Sequence, residues 1–459
     1  MAERFDAIVI GVGQAAPALC ARLDKEGLKT AVIERKLLGG TCVNTGCIPS
    51  KTLIASARAA HIARRGGDYG FARTSARVDM AAVKRRKDRV VRQSVDGLKK
   101  WLGGMKHVSL IQGQAKFVAA HRVAVDGREL EAERIFINVG ARAAIPDMPG
   151  VKEVPFFTNS SIMKVGFLPP HLIIVGGSYI GLEFAQMYRR FGSKVTVVER
   201  MPKLLPREDD DIAAEIRAAL EREGVKIRTD AECMALEKKG KRIVVGLHCK
   251  AGKPIAEGSH VLIAVGRMPN TGDLGLREAG IEADERGYIK VDDECRTSVG
   301  GVWALGECNG RGAFTHTSYN DYEIVAANLF DNDKRRITDR IMTYALFIDP
   351  PLGRAGMTEV EAKKSGRSVL VGKMQMKHVG RAREAGETHG FMKVLVDAKT
   401  QELLGAAILG MNGDEVVHSL LDMMYAKRPY TTIQRAMHIH PTVSELVPTL
   451  LGKLKPLSP

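Results

Sequence analysis

The sequence predicts an α/β protein with two three-layer domains of the same design, followed by a separate α+β domain. The chain of 459 residues is too long for one simple domain. Residues 6–35 and 171–200 repeat one pattern at an offset of 165 residues. Residues 341–459 lack this pattern and read instead as strand-like runs, such as GFMKVLVD and LLGAAILG, before a helical segment, DEVVHSLLDMMYAKR.

Each repeat reads as a strand, a glycine-rich turn, a helix and a second strand ending in Glu-Arg. Gly11 aligns with Gly176, and Glu34 aligns with Glu199. This is a Rossmann-like βαβ unit: the turn lets a pyrophosphate approach the backbone, and the acidic residue accepts hydrogen bonds from a ribose. Two copies on one chain favour two different dinucleotides, a tightly held flavin and an exchanging nicotinamide.

The turns depart slightly from the ideal GxGxxG string. The first reads GVGQAA, with Gly13 in the second place and Ala16 in the third; the second reads GGSYIG, with Ser178 in the second place. Alanine is tolerated in the third place, and serine either crowds the phosphate slightly or donates to it.

A weaker repeat closes each unit. Residues 134–150 and 260–275 both read as an apolar strand followed by a loop containing glycine and proline. We therefore predict a discontinuous first nucleotide-binding domain over 1–150 and 271–340, a second over 151–270, and a C-terminal domain over 341–459.

Composition narrows the class of protein. No apolar run approaches the roughly 18 residues of a membrane span, and the N-terminus does not read as a secretory signal. Seven cysteines do not form a disulfide framework in a chain of this length. The net charge of +16 comes from scattered basic residues without a nucleic-acid-reading motif. We expect a cytoplasmic protein that binds neither nucleic acid nor membrane.

The segment GGTCVNTGCIPSK carries two cysteines, Cys42 and Cys47, four residues apart. Helix-like sequence follows from Lys51, and a helix start beside the pair would favour a thiolate. The alternatives are a zinc half-site or two unrelated thiols. No second ligand pair of matching spacing is present, so no metal site is predicted. Position after a flavin-type unit favours a redox-active pair that alternates between disulfide and dithiol.

The chain resembles the class I flavoprotein pyridine nucleotide-disulfide oxidoreductases over nearly its whole length. The strings GGTCVNTGCIPSK and HIHPTVSE are the most diagnostic. The resemblance implies an oxidoreductase that acts on a sulfur group, with FAD bound and NAD(P)H as electron donor. It also implies that residues 341–459 are a dimerisation domain.

Roles for individual residues follow from the same resemblance. Cys42 is implied as the interchange thiol that meets the substrate, and Cys47 as the charge-transfer thiol beside the flavin. Lys51 would pair with Glu183 near the flavin ring, and Tyr179 would gate the nicotinamide pocket. Glu307 would replace the usual Asp that contacts the flavin ribityl chain.

His440 and Glu445 are the acid–base candidates, because a carboxylate orients an imidazole and stabilises its cation. From residue types alone, the alternative interpretation is a non-catalytic surface histidine that lies near an acidic residue by chance. In the resembling family this pair comes from the partner subunit, which implies a homodimer with a shared active site.

The remaining candidate cofactor contacts are placed by the βαβ pattern or by the resemblance. Around the first dinucleotide they are Gly11, Gly13, Ala15, Ala16, Glu34, Arg35, Gly40, Thr41, Ala115, Val139, Gly140, Glu307, Phe314 and Thr315. Around the second they are Gly176, Ser178, Tyr179, Ile180, Glu199 and Gly266.

Glu199 favours NADH over NADPH, because a carboxylate binds the free 2′-hydroxyl and repels a 2′-phosphate. NADPH stays the alternative, since Arg200, Lys203 and Arg207 follow closely. The substrate is a small disulfide, oxidant or metal ion. The region around VGRAREAGETHG resembles mercuric reductases, but no cysteine follows Cys308 to pass a metal ion. Dihydrolipoyl dehydrogenase is the alternative, and a flavin-dependent protein with idle cysteines is a third.

Overall fold

A computed structural model describes residues 2–72, 75–249 and 255–458. The chain forms a mixed α/β structure with two parallel-centred sheets and a third, antiparallel sheet near the C-terminus. Among the described residues, no helix is both long and apolar enough to cross a membrane.

The first sheet is built around the strand Glu3–Ile10, which carries the apolar run of the first repeat. Its parallel neighbours are Thr30–Glu34 on one side and Arg128–Ile137 on the other. The further members are Val108–Gln112, the hairpin Ala115–Ala119 and Arg122–Val125, and the late strand Val302–Ala304. The late strand pairs in parallel with Arg128–Ile137, so chain beyond residue 300 returns to the first sheet.

The second sheet repeats this plan around His171–Val175. Lys194–Val198 and His260–Ile263 flank it in parallel, and Lys226–Arg228 and Phe157–Thr158 form the edges. Both closing strands thus lie beside the first strand of their repeat, as the weaker repeat predicts. Two smaller antiparallel sheets consist of Ala231–Lys239, Arg242–Cys249 and Ile255–Gly258, and of Ala141–Ala143 with Arg267–Pro269.

The C-terminal sheet is antiparallel and has six strands. In spatial order they are Thr343–Leu346, Leu352–Gly356, Leu403–Leu409, Phe391–Asp397, Val369–Gln375 and Lys455–Pro456. The helix Gly413–Tyr425 packs its apolar side, including Val417 and Leu420, on this sheet. A separate core joins this domain to the second sheet's domain, since Leu346 and Leu352 share one buried cluster with Leu182 and Leu262.

The longer helices lie on the faces of the sheets. They are Ala16–Lys25, Cys47–Arg64, Met80–Gly103, Tyr179–Phe191, Asp210–Arg222 and Thr315–Ala326. The shorter ones are Gly40–Asn44, Glu359–Lys364, Gly380–Glu384, Thr431–Gln434 and Val447–Leu451. The helix expected from Lys51 begins four residues earlier, at Cys47. Proline is tolerated in a first helical turn, so Pro49 does not delay the helix start.

Candidate active site

Both glycine-rich turns bring their backbone against the closing strand of their sheet. Gly11 has φ +91°, and a Cβ there would lie 2.6 Å from the carbonyl oxygen of Asn138. Gly176 has φ +113°, and its Cβ would lie 2.3 Å from the carbonyl oxygen of Ala264. Only glycine fits either position. The two turns therefore share one local geometry, as their sequence alignment implies.

The helices that follow the turns start without a side-chain cap. Neither Ala15 nor Ser178, at the two cap positions, accepts a hydrogen bond from its helix through its side chain. The first backbone N–H groups of a helix and its positive dipole end suit an anion such as a pyrophosphate. A dinucleotide therefore fits at each turn.

The acidic residue of each repeat is anchored to its own turn. Glu34 accepts hydrogen bonds from the backbone N–H of Val12 at 2.9 Å and of Lys36 at 2.8 Å. Glu199 accepts equivalent bonds from Gly177 at 2.6 Å and Met201 at 2.8 Å. Both carboxylates are thus fixed at a strand end, where a ribose hydroxyl would meet them.

The cysteine segment packs directly on the first glycine-rich turn. A Cβ on Gly40 would lie 3.3 Å from the Cα of Gly13, and the backbone N–H of Gly39 donates to the carbonyl of Val12 at 2.9 Å. The fold therefore places Thr41 and the two thiols beside the first dinucleotide turn.

The two cysteines lie on neighbouring short elements. Cys42 is partly buried in the helix Gly40–Asn44, whereas Cys47 is exposed at the first position of the helix Cys47–Arg64. Both are free thiols. The Sγ of Cys47 lies 3.3 Å from the hydroxyl of Thr315, at the start of the helix Thr315–Ala326.

These surroundings shift the pKa values of the two thiols in opposite directions. Hydrogen bonding from Cys42, helped by Thr315 and by the charge of Lys51, lowers the pKa of Cys47 to about 6, against the opposing effect of neighbouring protein atoms that partly desolvate its sulfur. The same contact, together with burial, raises the pKa of Cys42. Near neutral pH, Cys47 is therefore the thiolate of the pair and Cys42 keeps its proton.

Three other cysteines contrast with this pair. Cys20, Cys295 and Cys308 are fully buried. Burial raises the pKa of Cys20 and of Cys308 to about 12. Their thiols are therefore packing groups.

Lys51 and Glu183 form an ion pair across two helices, with the Nζ 2.8 Å and 3.0 Å from the two carboxylate oxygens. Glu183 also accepts from the backbone N–H of Phe347 at 3.2 Å. The Nζ of Lys51 lies 4.3 Å from the centre of the Phe347 ring. This pair thus joins the cysteine-bearing helix to the C-terminal domain.

His440 and Glu445 lie together in the C-terminal domain. The Nδ1 of His440 is 2.9 Å and 3.1 Å from the two carboxylate oxygens of Glu445. The His440 side chain is 79% exposed, whereas that of Glu445 is 16% exposed. The carboxylate therefore orients the ring with Nδ1 protonated and leaves Nε2 free at the surface.

Tyr179 lies in a cluster that the sequence did not reveal. Its hydroxyl donates to Oε1 of Glu208 at 3.1 Å, and the hydroxyl of Tyr344 donates to the same oxygen at 2.6 Å. The ring of Phe314 stacks on Tyr344 with centroids 5.6 Å apart and meets Tyr179 edge-on at 6.3 Å. No motif marks Glu208 or Tyr344: Glu208 lies 29 residues beyond Tyr179, and Tyr344 lies 136 residues beyond Glu208.

Glu307 forms an ion pair with Arg267. Both of its oxygens accept from Nε of Arg267, at 2.6 Å and 2.8 Å. A second nitrogen of Arg267 donates to the carbonyl of Ala141 at 2.6 Å. Arg267 follows Gly266 in the weaker repeat, so this repeat contained a signal for a partner of Glu307.

The remaining predicted contacts divide between the two turns. Arg35 follows Glu34 but pairs with Asp273 at 2.9 Å. Ala115 is the buried first residue of the strand Ala115–Ala119. Val139 and Gly140 follow the closing strand of the first sheet, and Ile180 lies in the first turn of the helix Tyr179–Phe191.

An acidic cluster of Asp209, Asp211 and Glu359 has the spacing of a metal site. Its centre is filled by the buried ammonium of Lys393, which lies 2.7–2.8 Å from a carboxylate oxygen of each acid. The cluster is therefore an ionic contact between the second nucleotide-binding region and the C-terminal sheet.

Two models of one known protein family match this chain. The family model described as "Pyridine nucleotide-disulphide oxidoreductase" matches residues 5–321. Its dimerisation-domain model matches residues 342–451. The chain belongs to the pyridine nucleotide-disulphide oxidoreductase family. It is therefore an oxidoreductase of a flavin-dependent family whose members act on sulfur groups with NAD(P)H as donor.

Relatives within this family cover nearly the whole chain. The probable pyridine nucleotide-disulfide oxidoreductase RclA of Escherichia coli K12 is 36% identical, over 99% of this chain and 100% of the relative. A dihydrolipoyl dehydrogenase of Cupriavidus necator is 32% identical, over 97% of each chain. A mercuric reductase of Bacillus cereus is 30% identical, over 95% of this chain and 70% of the relative.

Solved structures agree with this fold. The HOCl-induced flavoprotein disulfide reductase RclA of Escherichia coli has a TM-score of 0.89 at 36% identity, covering 97% of this chain and 99% of that chain. Its Cu(II) complex has a TM-score of 0.89 at 35% identity, with the same coverage. The predicted α/β fold class and family are confirmed.

Proposed function

We propose that this family member passes an electron pair from NADH, by way of bound FAD, to the Cys42–Cys47 pair and then to a small oxidised substrate. One observation carries the proposal most strongly. Cys47 begins a helix with its Sγ 3.3 Å from the hydroxyl of Thr315, beside the first glycine-rich turn, and its contacts with Cys42 and Thr315 lower its pKa. A structural thiol needs none of these contacts.

The first turn supplies the FAD site. Gly11, Gly13 and Gly40 keep the backbone open, the helix from Ala16 presents its uncapped N–H groups, and Glu34 meets the adenosine ribose. Held by these residues, FAD would supply a hydride acceptor for the nicotinamide and a two-electron donor for the disulfide.

The second turn supplies the nicotinamide site. Glu199 is fixed with its carboxylate at the strand end, which suits the 2′-hydroxyl of NADH. Lys203 is already engaged, since its Nζ contacts Asp210 at 2.5 Å and the carbonyl of Glu208 at 2.7 Å. Lys203 is thus engaged within the protein, and the support for NADH over NADPH rests on the Glu199 carboxylate.

The cysteines divide the disulfide chemistry between them. Reduction opens the Cys42–Cys47 bond and leaves Cys47 as thiolate and Cys42 as thiol. Cys42 loses its proton to an imidazole and attacks the substrate disulfide. The first product thiolate takes up a proton, and Cys47 then displaces the second product and reforms the Cys42–Cys47 bond.

The imidazole in this scheme is His440 of a second copy of the chain. His440 is exposed, its Nδ1 is held by the largely buried carboxylate of Glu445, and its Nε2 has no hydrogen-bond partner among the described residues. The dimerisation-domain match over 342–451 supports a homodimer, in which this exposed ring meets the partner's cysteine pair. We further propose the cytoplasm as the compartment, where free thiols persist.

For the substrate, we propose a small oxidant or metal ion over a large protein disulfide. Similarity to RclA supports this, since that relative is described as HOCl-induced and has been solved with Cu(II). With Cu(II), the Cys42 thiol and the Cys47 thiolate would give one electron to each of two ions, re-form the disulfide and release the single proton of Cys42. Dihydrolipoyl dehydrogenase is the second candidate, favoured by the 32% identical relative.

Anaerobic titration of the purified holoenzyme with NADH tests the scheme. We expect a long-wavelength absorbance from the Cys47 thiolate against the flavin, lost in Cys47→Ser. Turnover with lipoamide, oxidised glutathione, Hg(II), Cu(II) and hypothiocyanite then ranks substrates. Full activity in Cys42→Ser would refute the interchange role, and a preference for lipoamide would favour the second candidate.

A further inference from the structure

Glu208 is a buried carboxylate whose position stability alone does not explain. Its side chain is fully buried. Oε1 accepts the hydroxyls of Tyr179 and Tyr344, while Oε2 has no hydrogen-bond partner among the described residues. The nearest cation, Nη1 of Arg354, is 3.8 Å from Oε2 and is committed to Asp209 at 3.0 Å. Burying a carboxylate with so few partners is costly.

The two tyrosine hydroxyls are dependable donors to this oxygen. Burial, reinforced by the charge of Glu208, raises the pKa of Tyr179 and of Tyr344. Both stay protonated through the physiological range. A hydroxyl bonded to an ionised acceptor is held more strongly than one bonded to a neutral acceptor.

We propose that Glu208 is a positioning residue that tethers Tyr179 across the nicotinamide pocket, so that the nicotinamide binds only when this tether opens. The inference rests on the proposed function, which places the nicotinamide at the second glycine-rich turn, directly before Tyr179. Tyr179 begins the helix after the second glycine-rich turn. Its ring is held on two sides by Phe314 and Tyr344, and its hydroxyl is held by Glu208.

While Tyr179 is tethered across the pocket, the nicotinamide cannot bind. The apparent affinity for the nicotinamide therefore equals the intrinsic affinity multiplied by the fraction of molecules in which the tether is open. Removing the tether raises this fraction. Tyr179→Phe keeps the ring and removes only the hydroxyl, and we expect NAD+ to bind about tenfold more tightly. Glu208→Gln keeps an acceptor but removes the charge, and we expect a smaller gain of about threefold to fivefold.

The experiment is a double-mutant cycle on the oxidised holoenzyme. Isothermal calorimetry with NAD+, which cannot reduce the flavin, gives Kd for the wild type, Tyr179→Phe, Glu208→Gln and the double variant. If Glu208 acts through Tyr179, Glu208→Gln changes nothing in the Tyr179→Phe background. Equal effects in both backgrounds would overturn the proposal, because Glu208 would then act independently of Tyr179.

Tyr344→Phe is the matched control. It removes a hydroxyl from the same Glu208 oxygen, keeps the ring on Phe314, and leaves the Tyr179 bond in place. We expect no gain in NAD+ affinity; a gain as large as that of Tyr179→Phe would show general loosening of the cluster and refute the tether. Thermal unfolding of each variant checks that the fold is intact.

Different measurements would refute the proposed function and the Glu208 tether. If NADH produces no long-wavelength thiolate absorbance in the wild type, the proposed function fails. If that absorbance forms but Tyr179→Phe and Glu208→Gln bind NAD+ like the wild type, only the tether fails.

Discussion

Thr315→Val tests whether the helix start opposite the cysteines sets the thiolate. The substitution keeps the shape of the side chain and removes the hydroxyl 3.3 Å from the Sγ of Cys47. A hydrogen bond to a charged group contributes about 1.5–3 kcal/mol. Because Cys47 is exposed, we take the low end, and about 1.4 kcal/mol corresponds to one pH unit.

The sign follows from which form the bond stabilises. The hydroxyl stabilises the thiolate, so its loss raises the pKa of Cys47 from about 6. Less thiolate then forms at a given pH. We expect the pH midpoint of the long-wavelength absorbance in the NADH-reduced enzyme to move up by about one pH unit.

The assay is an anaerobic pH titration of that absorbance. Ser50→Ala is the matched control, since the Ser50 hydroxyl bonds the backbone carbonyl of Cys47 at 3.2 Å and does not contact its thiol. Its midpoint should match the wild type. An unmoved midpoint in Thr315→Val, or equal shifts in both variants, would refute a direct contribution of Thr315 to the thiolate.

Three further predictions follow from the same contacts. His440→Gln should lower substrate turnover by about 10²- to 10⁴-fold while leaving flavin reduction by NADH intact, measured by stopped-flow absorbance; slowed flavin reduction would contradict an acid–base role at the substrate side. Lys393→Met leaves three carboxylates around a buried position and should cost about 3–5 kcal/mol of unfolding free energy, read by denaturant unfolding. Glu199→Ala should reduce the preference for NADH over NADPH in kcat/KM, and an unchanged ratio would place nicotinamide selection elsewhere.

The βαβ units were predictable because their information is local. A strand, a glycine turn and an acidic residue lie within about thirty residues, and each imposes its own geometry. Gly11 and Gly176 each meet a carbonyl from the closing strand that the weaker repeat marks. The cysteine pair was predictable for the same reason, since its segment follows the first unit and packs on Gly13.

The contacts between domains were not predictable in this way. Glu208 meets Tyr344 across 136 residues of sequence, and Lys393 meets Asp211 across 182. Single charged or aromatic residues carry no periodic signal, so no window of sequence links them. Arg267 is a partial exception to this lack of signal, because it lies inside the weaker repeat and its partner Glu307 is only 40 residues away in sequence.

The start of the helix Thr315–Ala326 lies between the cysteine segment and the cluster around Tyr179. Thr315 contacts the thiol of Cys47, and the preceding residue, Phe314, contacts both Tyr179 and Tyr344. Two consecutive residues thus touch the redox pair and the nicotinamide-side cluster. Each motif alone specifies one half of this site, and only the tertiary position of this helix start brings the halves together.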